Sequence, residues 1–220
     1  MTADSEHEKD KNMIPKAQYL AGPCKAASIP YWKTKSITVP EGMKIVHQNV
    51  FHEAEYRQYI DEPYFRLQHN LQEISPSALP RGYSFCKASL CDFSAHISSC
   101  YDGIRIKEAE LQSYMTRPVF DAALWLAVKD NQTGNIVATG IAELDCEIGE
   151  GVLEWIQVSR EHRRKGLGSC IVSELLRRMK DRAEFVTVSG QCRNSANPEG
   201  LYRRCGFTGS DVWHILRKRA

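Results

Sequence analysis

The chain has 220 residues, of which 42% are hydrophobic and 25% charged, an ordinary globular balance with enough apolar surface for a real core. Its net charge of +2 speaks against a protein that coats a polyanion as a whole. The longest strongly apolar run, "VFDAALWLAV", is far too short to span a membrane.

Residues 1–12, "MTADSEHEKDKN", read as a disordered charged tail without the apolar centre of a signal peptide. Residues 13–80 read as an N-terminal extension packed on the core. It is punctuated by Pro23, Pro30 and Pro40, with one strand near Lys44–His47. A helix is predicted over "EAEYRQYIDEPYFRLQHNLQEI", bent or broken near Pro63. "SPSALPRG" is linker-like. From 81 to 220 the signals sharpen into one domain. "YSFCKASL" predicts a strand, and helices follow near Asp92–Tyr101 and Lys107–Met115. "LWLAVKD" and "NIVATGIAELD" are strands around the turn signal "NQTG". In the next strand, "GVLEWIQV", alternation puts Val152, Glu154, Ile156 and Val158 on one face. Then comes "SREHRRKGLGSCIVSELLRRMK", a basic turn running into a helix whose Ile171, Val172, Leu175, Leu176 and Met179 form one stripe. "FVTVSG" is a strand, Pro198–Cys205 a helix and "FTGSDVWHIL" a final strand. The order predicts an α/β fold with a mixed (α+β) sheet.

The eight cysteines show no C-x-x-C pair and no histidine in zinc-ligand spacing, so no metal site is expected. They read as buried apolar thiols of a reducing, cytoplasmic compartment.

Residues 160–182 carry eight Arg and Lys against three acids, a local positive field suited to a discrete anion. A helix N-terminus leaves backbone N–H groups unpaired and carries roughly half a positive charge. Gly166 and Gly168 would let that backbone approach a ligand, and Arg163, Arg164 and Lys165 would add charge-assisted hydrogen bonds. A phosphate cradle therefore competes with a solvated surface turn or a basic nucleic-acid patch. Other phosphate loops fit poorly: the dinucleotide fingerprint needs a third glycine where Ile171 stands, and the G-K-[ST] ending of a P-loop is absent.

"LEWIQVSREHRRKGLGSCIVSELLRRM" resembles the acyl-CoA-binding motif of the GNAT superfamily of N-acyltransferases, a [QR]-x-x-G-x-[GA] loop matched by Arg163, Gly166 and Gly168. Downstream, "NPEGLYRRCGF" is similar to the family's second motif, an Asn followed by a helix carrying L-Y-x-x-x-G-F. The resemblance spans about Gly82 to Leu216. It implies a mostly antiparallel sheet with a splayed parallel pair at the family's strands 4 and 5. It also implies acetyl-CoA as cosubstrate. The pyrophosphate would lie on backbone N–H groups of Arg164, Lys165, Gly166, Leu167, Gly168 and Ser169. The pantetheine arm would run along Ile156, Gln157 and Val158 like an added strand. Asn194 or Asn197 would touch that arm; they stand eight and five residues before Tyr202, either side of the family's usual spacing. Asn197 before Pro198 also reads as an ordinary N-cap.

Acetyl transfer to an amine needs a base, because an alkylamine with a pKa near ~10.4 is almost wholly protonated at neutral pH. Glu154 is the candidate, a carboxylate interrupting an apolar strand; an ion-paired or edge carboxylate is the competing reading. By resemblance, Tyr202 donates to the departing thiolate and the Val158 amide to the developing oxyanion; Tyr202 as helix packing is the alternative. The acceptor is expected to be a primary amine of a small molecule or peptide. Glu143, Asp145, Glu147 and Glu150 could attract a cation but read first as a solvated hairpin. His96, Cys100 and Tyr101 could touch substrate, whereas Trp213 and His214 read as core or wall, and "CKAASIPYWK" as a wrap across the domain. A non-catalytic acyl-CoA-binding module and an enzyme acting on protein or aminoacyl-RNA are the alternatives; nucleic acid and membrane are disfavoured as partners, and a homodimer stays open.

Overall fold

A computed structural model describes residues 14–219; the expected tail at 1–12 lies outside the described residues. Three short helices, α1 (Lys16–Leu20), α2 (Pro23–Ala26) and α3 (Tyr31–Thr34), come first among the described residues. Strands β1 (Met43–His47), β2 (Tyr59–His69) and β3 (Tyr83–Cys86) follow, then helices α4 (Leu90–Cys100) and α5 (Glu108–Tyr114). β4 (Trp125–Asp130), β5 (Ile136–Asp145) and β6 (Glu150–Val158) lead into α6 (Leu167–Met179). β7 (Phe185–Gln191), α7 (Pro198–Arg204) and β8 (Thr208–Lys218) complete the described chain. From β3 onward this is the predicted order, element for element.

The eight strands form one sheet in the order β1-β8-β2-β7-β6-β5-β4-β3, antiparallel everywhere except between β6 and β7. The predicted helix around Pro63 is instead strand β2, lying between β7 and β8. Burial at Pro63, Phe65, Leu67 and His69 has the period of a strand, and aromatic residues favour the pleat. Pro63 is tolerated because pairing with β7 ends at Tyr64; the Pro63 carbonyl accepts from Cys192 N at 2.9 Å, where the ladder is already running out. Residues 59–69 thus sit inside the sheet rather than upon it.

One face of the sheet is covered by α6 and α7. The predicted stripe of α6 (Ile171, Val172, Leu175, Leu176 and Met179) is fully buried there among Leu144, Leu153, Val186 and Val188. Each such side chain contributes about 1.5–3 kcal/mol by leaving water. α4 and α5 cover the other face over Ala127 and Ile141. Beside them residues 14–36 run across the sheet as a strap, with Tyr19 and Tyr31 packed on Ile148 and Phe185. The wrap expected of "CKAASIPYWK" belongs to this strap. Its anchor is ionic and buried. Tyr19 Oη donates to Glu150 Oε1 at 2.7 Å, Tyr31 N to Glu150 Oε2 at 3.0 Å, and Arg66 Nη2 lies 3.3 Å from Glu150 Oε1. Removing one member of such a pair leaves an uncompensated charge and costs about 3–5 kcal/mol.

Candidate active site

Parallel pairing of β6 with β7 runs from Glu150↔Phe185 to Leu153↔Val188 and then stops. Beyond it β6 stays bound to β5, and β7 stays bound to β2 through Ser189, Gly190 and Gln191. The inner edges therefore part while both outer edges are held. Ser159 N donates to Val137 O at 2.9 Å, which sets the alternation: Gln157 turns its main-chain groups to β5, and Ile156 and Val158 turn theirs to the gap. The Val158 carbonyl already accepts from Arg163 Nε at 3.1 Å.

The gap opens into a cleft of ≈ 830 Å³, in the range of small-molecule sites. Cys100, Tyr101, Ile156–Val158, His162–Arg164, Gly166–Ser169, Asn194–Pro198, Leu201 and Arg204 line it. The turn at its floor presents main-chain amides to it. Gly166 caps α6 at φ 86°, a left-handed conformation that glycine adopts without cost, and no side chain caps the helix. The first intrahelical bond is Cys170 N to Gly166 O, leaving the earlier amides of the turn without intrahelical partners. Gly168 has a different reason: a Cβ there would meet Leu201 Cδ2 at 3.1 Å, so its absence lets α6 pack against α7.

Other predicted residues divide. Leu167 is buried in the core and offers only its main chain. Lys165 is absent from the cleft lining and reaches Tyr83 Oη at 3.3 Å. Asn194 and Asn197 both line the cleft, yet each spends its oxygen locally, on Ala196 N (2.9 Å) and Gly200 N (3.0 Å). Their amide NH₂ groups remain as donors. The Gln157 side chain turns away from the gap to Thr139, on the α4 face. His96 bonds Thr139 Oγ1 (2.9 Å) and Ser159 Oγ (3.0 Å), and burial pushes its imidazole down to about 4; it is a neutral core residue. Trp213 donates to Cys24 O and His214 stacks on Phe51, both outside the cleft lining.

Tyr202 is buried between Phe65 and Phe207, at centroid distances of 6.2 and 5.7 Å. Burial raises its pKa, so the phenol stays protonated and able to donate. Tyr101, on the cleft wall, is likewise pushed up to about 12 by burial.

Glu154 is not where alternation predicts. Ile141 pairs with Trp155 and Ala142 with Leu153, so Glu154 is the extra residue of a β-bulge. The bulge removes it from the Ile156/Val158 face and aims it at the strap side, where Lys33 Nζ hydrogen-bonds its Oε1. It is also the first residue of β6 beyond the last β7 pair, at the apex of the split. Nearby Glu143 is not a solvated hairpin carboxylate: it is 3% exposed, bonded to Trp32 Nε1 at 3.1 Å and Arg117 Nη1 at 2.5 Å. Burial, with the Glu154 charge adding to it, pushes Glu143 up to about 7 against the pull of Lys33 and Arg117. Asp145 and Glu150 are buried as well. Sequence reasoning missed Lys33 and Arg117. The first lay in a named motif, whereas no local pattern marks the second.

Residues 121–209 match a family model described as an acetyltransferase (GNAT) domain. Among curated proteins no sequence match is found. The fold is similar to that of a GCN5-related N-acetyltransferase from Sphaerobacter thermophilus, at 18% identity and a TM-score of 0.66, over 81% of this chain and 60% of that one. It is similar too to a functionally unknown conserved protein from Staphylococcus epidermidis (13% identity, TM-score 0.58, 96% and 83% of the two chains). A third is Ard1 from Thermoplasma volcanium (12%, 0.50, 62% and 97%). The chain thus spans 60% of the length of the Sphaerobacter protein. The family model covers residues 121–209 alone, and these folds bear out the expected mixed sheet with its opened parallel pair.

Proposed function

We propose that this chain, whose residues 121–209 form a GNAT acetyltransferase domain, moves an acetyl group from acetyl-CoA to a primary amine of a small molecule or peptide. The observation that carries the reading is the split between β6 and β7, which joins free main-chain amides at one end to Glu154 at its apex.

The residues fit that cosubstrate. The main-chain amides of Arg164 to Ser169 would hold the pyrophosphate, with Arg163 and Arg204 adding positive charge at the cleft wall. Main-chain groups of Ile156, with the second lone pair of the Val158 carbonyl, would pair with the pantetheine arm, and the amides of Asn194 and Asn197 would donate to it. Bound there, the thioester supplies an activated acetyl carbonyl. Glu154 takes the proton from the acceptor amine. The Val158 N–H, turned into the gap, donates to the carbonyl oxygen as negative charge grows on it. Tyr202, protonated and next in α7 to Leu201 of the cleft lining, would donate to the departing sulfur.

Release of free CoA in the presence of a panel of amines, together with calorimetry of acetyl-CoA, tests the reading. Amine-dependent release is expected. Binding with no release above hydrolysis would convert the protein into an acyl-CoA-binding module. Loss of affinity rising steeply with salt on aminoacyl-RNA would redirect the acceptor to nucleic acid.

A further inference from the structure

The candidate base, Glu154 at the apex of the split, already faces an amine. Lys33, in α3, hydrogen-bonds Glu154 Oε1, and the two side chains are 17% and 15% exposed, sheltered yet reachable. The strap's other lysines on this side go elsewhere: Lys16 and Lys35 both end on Glu147, in the hairpin between β5 and β6. On either side of Lys33 the strap is fixed, by Tyr31 N on Glu150 and by Trp32 Nε1 on Glu143. Its backbone is thus held in place while its side chain reaches the apex of the split.

We propose that Lys33 Nζ is an internal acetyl acceptor, a self-modification site set against Glu154 by the strap. The inference rests on the acetyl-CoA reading of the cleft. Glu154 Oε1 takes a proton from the Lys33 ammonium. The freed nitrogen lone pair forms a C–N bond to the acetyl carbonyl carbon, and the C–S bond breaks. The sulfur leaves as the CoA thiol, taking one proton. Lys33-NH₃⁺ and acetyl-CoA become N-acetyl-Lys33, CoA and H⁺. Tethering makes the step unimolecular, so a modest intrinsic rate is offset by a high local concentration of the amine. The product has lost its cation. Glu143 and Glu154 then face each other with only Arg117, on Glu143, left to offset their repulsion, which weakens the strap's hold at this point and clears Glu154 for an external amine.

The test incubates the purified full chain with isotopically labelled acetyl-CoA and follows each lysine by peptide mass spectrometry. Lys33 is expected to be labelled before the more exposed Lys35, at a rate independent of protein concentration. Glu154→Gln should slow that labelling by about 10²-fold or more, and Lys33→Arg, which keeps a cation against Glu154, should abolish label at this position. An unlabelled Lys33, label no faster than on Lys35, or a rate rising with protein concentration overturns the inference. If acetyl-CoA still binds by calorimetry and added amines still release CoA, only the self-acetylation falls. If binding and release are also absent, the cleft reading falls with it.

Discussion

The two ends of the split are built from different materials. At the α6 end the site is main chain: unpaired amides and a left-handed glycine within one continuous stretch from Val158 to Ser169, closed by the contact of Gly168 with α7. At the apex it is side chain: Lys33, Arg117, Glu143 and Glu154, brought together from four separate segments. The first cannot adjust without rebuilding a helix start. The second can be retuned by one charge. The rigid end suits an invariant ligand, and the adjustable end suits whatever varies.

Changes that break this contrast can be ranked. Gly168→Glu should abolish measurable acetyl-CoA binding by calorimetry, because it adds a carboxylate to the anion site and a Cβ at 3.1 Å from Leu201. Chemical denaturation should show the variant still folded and the strap intact. Arg66→Ala attacks the strap's anchor behind the apex by leaving Glu150 without its cation. Unfolding free energy in urea should fall by about 3–5 kcal/mol, and a loss under 1 kcal/mol would mean that water reaches the anchor. Tyr202→Phe should lower kcat by about 10²-fold with the calorimetric affinity for acetyl-CoA unchanged; an unaltered rate would leave Tyr202 as packing alone.

Two smaller effects sharpen the comparison. Gly166→Ala meets open space, so only its φ of 86° is penalised, and the expected loss is about 1 kcal/mol of stability. Glu143, raised to about 7, keeps its proton in the folded state over a range where the unfolded chain has lost it. The stability this contributes is complete below the ordinary glutamate range and is lost as pH rises through about 7. Glu143→Gln should therefore show a smaller drop in Tm than the parent between about pH 5 and pH 8; an equal drop would place the titrating group elsewhere.

The same contrast explains what could be read in advance. The apolar stripe of α6 is local, and spacing alone places it; Arg163 and Gly166 are local too, but charge and spacing leave them open against a surface turn until the motif resemblance is added. The alternation in "GVLEWIQV" holds within each half of the strand, but the two halves are out of phase: Leu153 packs on the α6 face and Trp155 on the α4 face, where one face is expected for both. The β-bulge that displaces Glu154 leaves no mark in residue types, since it depends on register against Ile141 and Ala142. β2 was misread because "EAEYRQYIDEPYFRLQH" is polar and helix-like at its start; its strand character comes from neighbours β7 and β8, more than a hundred residues away. The acidic run was misread for the same reason: nothing near Glu143 or Glu150 in the sequence announces that Trp32 and Tyr31 will cover them.

β2 has one more implication, for assembly during synthesis. Made early, it must wait with both edges bare until residues 185–191 and 208–218 leave the ribosome, and only then can the sheet close around it. Until then a long aromatic ribbon is available for mispairing, so folding in cells should depend on chaperones that shield unpaired strands, and a stop codon after Phe207 should yield aggregate instead of a weakened enzyme.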